Sequence, residues 1–258
     1  MQRYLDITTA TLEEALSMYV RPQELADAMR HALLAGGKRL RPIICLAAAE
    51  AVGGSAEDAR YAAAAIELLH NYTLVHDDLP SMDNDTLRRG KPTVWAKYGE
   101  STAILAGDAL QALAFQLLAK TKEKRQGDVS KVLQVFAEKA VNVVRGQVED
   151  LSRNEDSDYK FIYEHKTADL FVAAAVMGAI VGGGSDEEIE AMREFALNLG
   201  LAFQYEDDLL DGDAPWPKEE IQRLINEATL NACSALNRIS GNTDFLFSLA
   251  QKLVNRTQ

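Results

Sequence analysis

Apolar residues recur three and four apart along nearly the whole chain, the spacing of helices, and no short alternating strands separated by turn pairs interrupt it. Leu12, Ala15 and Leu16 form one stripe, with Thr8 or Thr9 as a candidate cap. Pro22 suits the first turn of the next helix, which Gly36 and Gly37 close. Ala64, Leu68, Tyr72 and Val75 place one face of a long helix in the core, and Pro80 ends or kinks that helix. The pattern predicts helices over 8–20, 22–35, 42–53, 55–79, 101–121, 128–150, 157–182, 186–211, 216–238 and 243–255. Residues 120–128, KTKEKRQGD, read as a solvated turn. No Pro- or Ser-rich linker divides the chain, so the expectation is an all-α fold with residues 1–258 as a single domain.

Composition supports that class. Apolar residues make up 47% of the chain and aromatics 7%, with sixteen glycines and six prolines in 258 residues, which favours long helices over turns. Net charge adds a constraint. At −12, the chain is a poor partner for nucleic acid or an anionic membrane, so any polyanion must meet a local basic patch or a metal ion. Cys45 and Cys233 sit inside apolar helical patterns and read as small core residues of a reducing compartment. The N-terminus lacks a signal-type apolar stretch, and no run of about 18 apolar residues free of charges stands out. The expected location is cytoplasmic, with no integral membrane span.

Two acidic clusters break the apolar pattern. The first, HDDLPSMD, contains Asp77, Asp78 and Asp83 and is followed by Arg88 and Arg89; the second, YEDDLLD, contains Asp207, Asp208 and Asp211. Asp207 and Asp211 are four apart and share a helix face among apolar neighbours. Carboxylates there are costly unless paired or metal-bound. Both clusters offer only hard oxygen ligands, which selects Mg²⁺ or a similar cation. Two facing clusters would suit Mg²⁺ ions gripping a diphosphate, whereas either alone could be a solvated helix end. Arg88 and Arg89 supply planar forks for phosphate oxygens. GGKRLRP at 36–42 gathers glycines and cations at a helix junction, as a phosphate cradle or as a basic C-cap. His70 leans toward the first cluster. Lys166, in the HKT of an apolar helix, is expensive unless an anion meets it. GQVEDL at 146–151 contributes a close-packing glycine and an amide.

These residues resemble the trans-isoprenyl diphosphate synthase family, and closely its bacterial farnesyl diphosphate synthases. The resemblance is carried by residues 36–42, 67–93, 104–115, 146–151, 165–170 and 199–211. It implies an isoprenoid-synthase-type helical bundle around a central cavity, usually a homodimer. It implies a Mg²⁺-dependent prenyltransferase that condenses isopentenyl diphosphate with dimethylallyl or geranyl diphosphate to give farnesyl diphosphate. By the same resemblance, Asp77, Asp83, Asp207 and Asp211 bind the metal, with Asp78 alongside, and Asp77, Asp78, Asp83, Arg88, Lys166, Asp207 and Asp208 make up the catalytic set. Arg88, Lys166, Thr167 and Gln204 hold the allylic diphosphate; Gly37, Lys38, Arg41, His70 and Arg89 hold isopentenyl diphosphate. Tyr72, five residues before Asp77, and Thr73 beside it set product length. Geranylgeranyl or geranyl diphosphate synthase is the alternative activity.

One departure stands out. The family carries a Gly-, Lys- and Asp-rich loop after the second motif, and here DGDAPWPKEE follows directly, with Lys218 a poor substitute. Either the chain lacks this lid, or a segment around Asp213 and Ala214 is missing from the sequence. A lid-lacking, non-catalytic subunit that binds a partner synthase is the reading from another class.

Overall fold

Helix formation follows the apolar period with few interruptions. A computed structural model of the protein describes residues 1–154, 156–212 and 214–254, with the Val254 side chain excepted. It is all-α apart from one two-stranded hairpin. By packing, residues 1–43 with 60–121 form one compact unit, and residues 44–59 with 122–258 the other.

The first unit holds α1 (Gln2–Ser17), α2 (Gln23–Leu34), the start of α3 (Leu40–Ala51), α4 (Arg60–Asp77), α5 (Val94–Tyr98) and α6 (Glu100–Leu118). Its hairpin pairs β1 (Leu87–Arg88) with β2 (Lys91–Pro92) in antiparallel register. In α4, Ala62 to Leu69 are all buried, so the helix is covered on every side. Its small residues let α6 approach with Ala103, Ala106, Gly107 and Leu110. Gly107 is needed there, because a Cβ would enter the His76 ring. Burying a side chain such as Leu68 or Leu110 contributes about 2 kcal/mol.

In the second unit α9 (Asp169–Gly182) is the central helix, with all its residues buried. The rest of α3, α7 (Asp128–Leu151) and α10 (Asp186–Asp211) surround it. A short α8 (Tyr159–Ile162) and a π-helical turn (Tyr163–Ala168) lead into α9. Ser185 and Glu188 form a complete capping box that starts α10. Next come α11 (Lys218–Ala235), a 3₁₀ turn (Leu236–Arg238) and α12 (Asp244–Val254).

Several expectations need correction. Thr8 and Thr9 are not caps: α1 already starts at Gln2, and the buried Thr8 hydroxyl donates to the Tyr4 carbonyl at 2.8 Å. The helix expected from residue 55 starts at Arg60 and ends at Asp77. The helix expected over 157–182 changes to π geometry at 163–168, where one extra residue is accommodated per turn. The hairpin at 87–92 falls outside every predicted helix and was not expected as paired strands. Two stretches, Glu100–Leu118 and Tyr159–Gly182, are long and apolar enough by composition to cross a membrane; the second lies mostly buried. Of the expected helix 243–255, residue 255 lies outside the described residues.

Candidate functional site

In the first unit, the helix stop at Asp77 builds the acidic end. Pro80 cannot continue α4, and the chain folds back through a tight turn. The Asp83 amide donates to the Asp77 carbonyl at 2.9 Å, and the Asn84 amide to the Leu79 carbonyl at 3.0 Å. Asn84 adopts φ +54° to complete the reversal. Asp77 and Asp83, six residues apart, are thereby adjacent along the backbone. Asp78 takes a different role. It is buried, and its Oδ1 accepts from both Nε and Nη2 of Arg88 at 2.7 Å. Burial raises its pKa and the guanidinium opposes that rise.

The hairpin aims two consecutive arginines differently. Arg89 (φ +53°) and Gly90 (φ +73°) form its turn, a left-handed pair of the kind that suits a two-residue hairpin. Arg88 reaches Asp78, while Arg89 donates to the Gly36 carbonyl. A ring nitrogen of His31, Nε2, lies 2.7 Å from the Pro92 carbonyl. Thr93 and Trp95 both donate to the Asp85 carbonyl at 2.8 Å. These contacts fix the hairpin from both ends.

Below the GGKRLRP loop lies a network that the sequence reading missed. Arg39, at φ +49°, donates to the buried Glu67 carboxylate and to the Leu33 carbonyl. Asn71 Nδ2 donates to the same Glu67 oxygen at 2.9 Å. Lys38 is exposed on the loop so held. Arg41 Nη1 lies 3.4 Å from His70 Nε2, and since a guanidinium only donates, Nε2 is the acceptor. Burial, then the fields of Arg41, Arg89, Arg39 and Arg88, holds the His70 pKa well below its usual value. The fields of four arginines thus act on one histidine in a chain of net charge −12. A small open cleft is lined by His31, Asn71, Asp78, Arg88, Arg89 and Thr93.

Tyr72 is half-buried, not in the core as its spacing suggested. Its ring stands edge-on to His76, 4.8 Å between centroids, and Gln111 is a hydrogen-bond partner of its hydroxyl. The Thr73 hydroxyl donates to the His70 carbonyl at 2.8 Å.

In the second unit the π-helical turn carries Lys166 and Thr167. Gly146 of α7 makes room for it, since a Cβ there would drive into the Lys166 backbone nitrogen. Lys166 pairs with Asp150, which Arg153 also meets at 3.0 Å. Thr167 donates to Gln204 Oε1 at 2.6 Å, and Gln204 Nε2 donates to Asp208 Oδ1 at 2.7 Å. The Tyr163 hydroxyl donates to Asp208 Oδ2. Burial and this carboxylate push the Tyr163 pKa up. Asp207 is half-buried and Asp211 exposed. The Gln147 amide nitrogen is buried without a hydrogen-bond partner.

Each unit therefore collects its own share of the expected residues. Gly37, Lys38, Arg41, His70, Tyr72, Thr73, Asp77, Asp78, Asp83, Arg88 and Arg89 lie in the first; Lys166, Thr167, Gln204, Asp207, Asp208 and Asp211 lie in the second. Arg39, Glu67, Asn71, Asp150 and Tyr163 were missed, although a buried Glu among alanines was a signal for a partnered charge. Among the described residues no three His, Cys, Asp or Glu side chains converge into a ready-made metal cage. The donors fit Mg²⁺ all the same, because that ion takes one or two carboxylates and completes its shell with water and substrate phosphate.

Comparison with known proteins bears on the family and the fold. The family model described as polyprenyl synthetase matches residues 22–237. The chain is 47% identical over 219 residues to the heterodimeric geranylgeranyl pyrophosphate synthase large subunit 1 of Arabidopsis thaliana, covering 80% of this chain and 58% of that protein. It is 50% identical over 213 residues to the mitochondrial geranylgeranyl pyrophosphate synthase 10 of the same plant, covering 78% and 61%. The chain thus spans about three-fifths of the length of these curated relatives. A solved FPP/GFPP synthase from Zymomonas mobilis superposes with a TM-score of 0.89 at 32% identity, covering 98% of each chain. The all-α isoprenoid synthase fold is shared, and the chain belongs to the polyprenyl synthetase family.

Proposed function

We propose that the protein is a Mg²⁺-dependent prenyltransferase that joins isopentenyl diphosphate to an allylic diphosphate. The observation that carries this reading is the hairpin that sets Arg88 and Arg89 beside the acidic end of α4 and in one cleft with Asp78, in a chain of net charge −12. Lys38, Arg41, His70 and Arg89 would hold isopentenyl diphosphate, with Gly37 leaving the backbone accessible. Lys166, Thr167, Gln204 and Arg88 would serve the allylic diphosphate. Asp77, Asp83, Asp207 and Asp211 would hold Mg²⁺, which supplies charge neutralisation for a departing diphosphate when bound. The cationic side chains stabilise the same developing charge as the allylic C–O bond breaks. The isopentenyl double bond then forms the new C–C bond, and the released diphosphate takes the final proton.

The names of the relatives favour geranylgeranyl diphosphate as the product over farnesyl diphosphate. The fifteen-carbon reading rests on Tyr72. The test is a product assay with Mg²⁺, isopentenyl diphosphate and geranyl diphosphate, sized after dephosphorylation. A twenty-carbon alcohol supports the proposal, and a fifteen-carbon alcohol restores the farnesyl reading. Loss of product on Asp77→Ala and on chelation is expected in either case.

A second reading has one observation behind it. α10 ends at Asp211 and α11 starts at Lys218, so residues 212–217 are the whole connection. Lys218 is exposed at the start of α11, and Asp213 lies outside the described residues. A non-catalytic subunit would fit so short a connection. Folded protein that forms no product alone, with an intact mass of 28.3 kDa, would favour it. For assembly we propose a homodimer. α7 exposes Val141, Val144, Val148 and Leu151 along one stripe, and α6 exposes Ile104, Leu105 and Phe115. Light scattering that returned a monomer mass would refute it.

A further inference from the structure

The short connection after the second acidic motif carries Trp216 between two prolines. Its indole stands edge-on to three tyrosines, with centroids 6.0 Å from Tyr159, 5.6 Å from Tyr163 and 5.8 Å from Tyr205. Tyr163 is itself edge-on to Tyr205 at 5.5 Å. Buried Ile162, Ile221 and Ile225 lie beneath these rings. Each ring contact is modest, but together they leave the Tyr163 ring one orientation. In that orientation its hydroxyl donates to Asp208 Oδ2. The other Asp208 oxygen accepts from Gln204, which in turn is fixed by Thr167. Both oxygens of Asp208 are therefore engaged inside the protein, which makes it an anchor. Asp207 and Asp211, four apart on one face of α10, are the residues that the proposed function gives to the metal.

We propose that Trp216 and Tyr163 act as positioning residues: an aromatic brace on the α10–α11 connection that holds Asp208, Gln204 and Thr167 in the arrangement that binds Mg²⁺-diphosphate. The inference rests on the proposed function of this motif. The brace fixes the motif before ligand arrives, so its removal lowers affinity more than it lowers stability. Tyr163→Phe deletes one hydroxyl and keeps the ring. Trp216→Ala deletes the wall behind it. Trp216→Phe keeps an aromatic there.

The test is calorimetric titration of the whole protein with inorganic pyrophosphate, with and without Mg²⁺, alongside thermal melts of each variant. Expected results are Mg²⁺-dependent binding in the wild type, lost in Asp207→Asn. Binding should be weaker by about tenfold in Tyr163→Phe, as for loss of one charge-assisted hydrogen bond. A similar loss is expected in Trp216→Ala and substantial recovery in Trp216→Phe. Wild-type binding that needs Asp207, with Tyr163→Phe binding equally well or more tightly, overturns the brace and leaves the proposed function standing. No Mg²⁺-dependent binding by the wild type overturns both. Should Trp216→Ala not fold, Tyr163→Phe decides.

Discussion

Glu67→Gln is the sharpest perturbation of the first unit. Glu67 and Arg39 form a pair whose side chains are 3% and 11% exposed, so water screens neither well. Removing one partner of such a pair costs about 3–5 kcal/mol, because the other charge stays buried. Glutamine keeps an acceptor for Asn71 Nδ2, and Arg39 keeps the Leu33 carbonyl, so the lower end applies, about 3 kcal/mol. With a slope of about 3 kcal/mol per molar urea, the unfolding midpoint should fall by about 1 M. The loop that Arg39 holds carries Lys38 and leads into Arg41, so the KM for isopentenyl diphosphate should also rise, by roughly tenfold for one misplaced phosphate contact. A double variant, Arg39→Met with Glu67→Met, separates the two effects. An apolar pair of similar volume should restore most of the stability, as buried pairs often tolerate. It should leave KM high, because nothing then fixes the loop at φ +49°. A Glu67→Gln protein with a wild-type midpoint and a wild-type KM would refute the reasoning.

Three further outcomes are expected. The depressed pKa of His70 means that the unfolded chain takes up its proton first. Stability is then complete above about pH 6.5 and declines as pH falls from there toward the folded value. Thermal melts from pH 7.5 to 5 should show this slope in the wild type and a shallower one in His70→Gln; equal slopes would count against it. Gly146→Ala should cost about 1–3 kcal/mol and raise the KM for the allylic diphosphate by pushing on Lys166. Gly178→Ala, whose Cβ would meet the Cys45 carbonyl, should cost a similar amount with KM unchanged, and steady-state kinetics on both variants distinguish the two. Tyr72→Ala should lengthen the product, and an unchanged product length would remove Tyr72 from size control.

The helices were legible because their burial is periodic. α4, α7 and α10 each hold a stripe or a full coat of apolar residues that only a 3.6-residue repeat can bury. Their ends were legible where Gly or Pro forces a stop, as at Pro80 and Gly183. Misreadings fell where local chemistry gave no instruction. Residues 2–8 contain neither Gly nor Pro, so α1 simply extends past the threonines that looked like caps. The π-helical turn at 163–168 is set by the approach of Gly146 from another helix, which no local pattern reveals. Arg89 and Gly90 make a hairpin only because Pro92, Thr93 and Trp95 are tied down around them.

The site divides along the same line. Groups proposed to meet ligand stood out in the sequence because a carboxylate or cation on an apolar helix is costly and conspicuous. Groups that hold those groups did not, because their cost is cancelled by a partner distant in sequence. Glu67 looks like an isolated acid until Arg39 folds under it, and Tyr163 looks like core until Asp208 accepts from it. Asp78 shows the converse. It reads as a catalytic acid alongside the metal ligands, and Arg88 occupies it through two nitrogens on one oxygen. An acidic motif of three residues can therefore contain two kinds of acid. Asp78 and Asp208 occupy the same place in the two clusters, the second of the adjacent pair, and each is engaged by the protein's own donors. If that symmetry reflects the division of labour, Asp78→Asn and Asp208→Asn should weaken Mg²⁺-dependent pyrophosphate binding only through their anchoring partners, about tenfold each. Asp77→Asn and Asp207→Asn should abolish it. Equal losses in all four variants would show that the anchors are ligands after all.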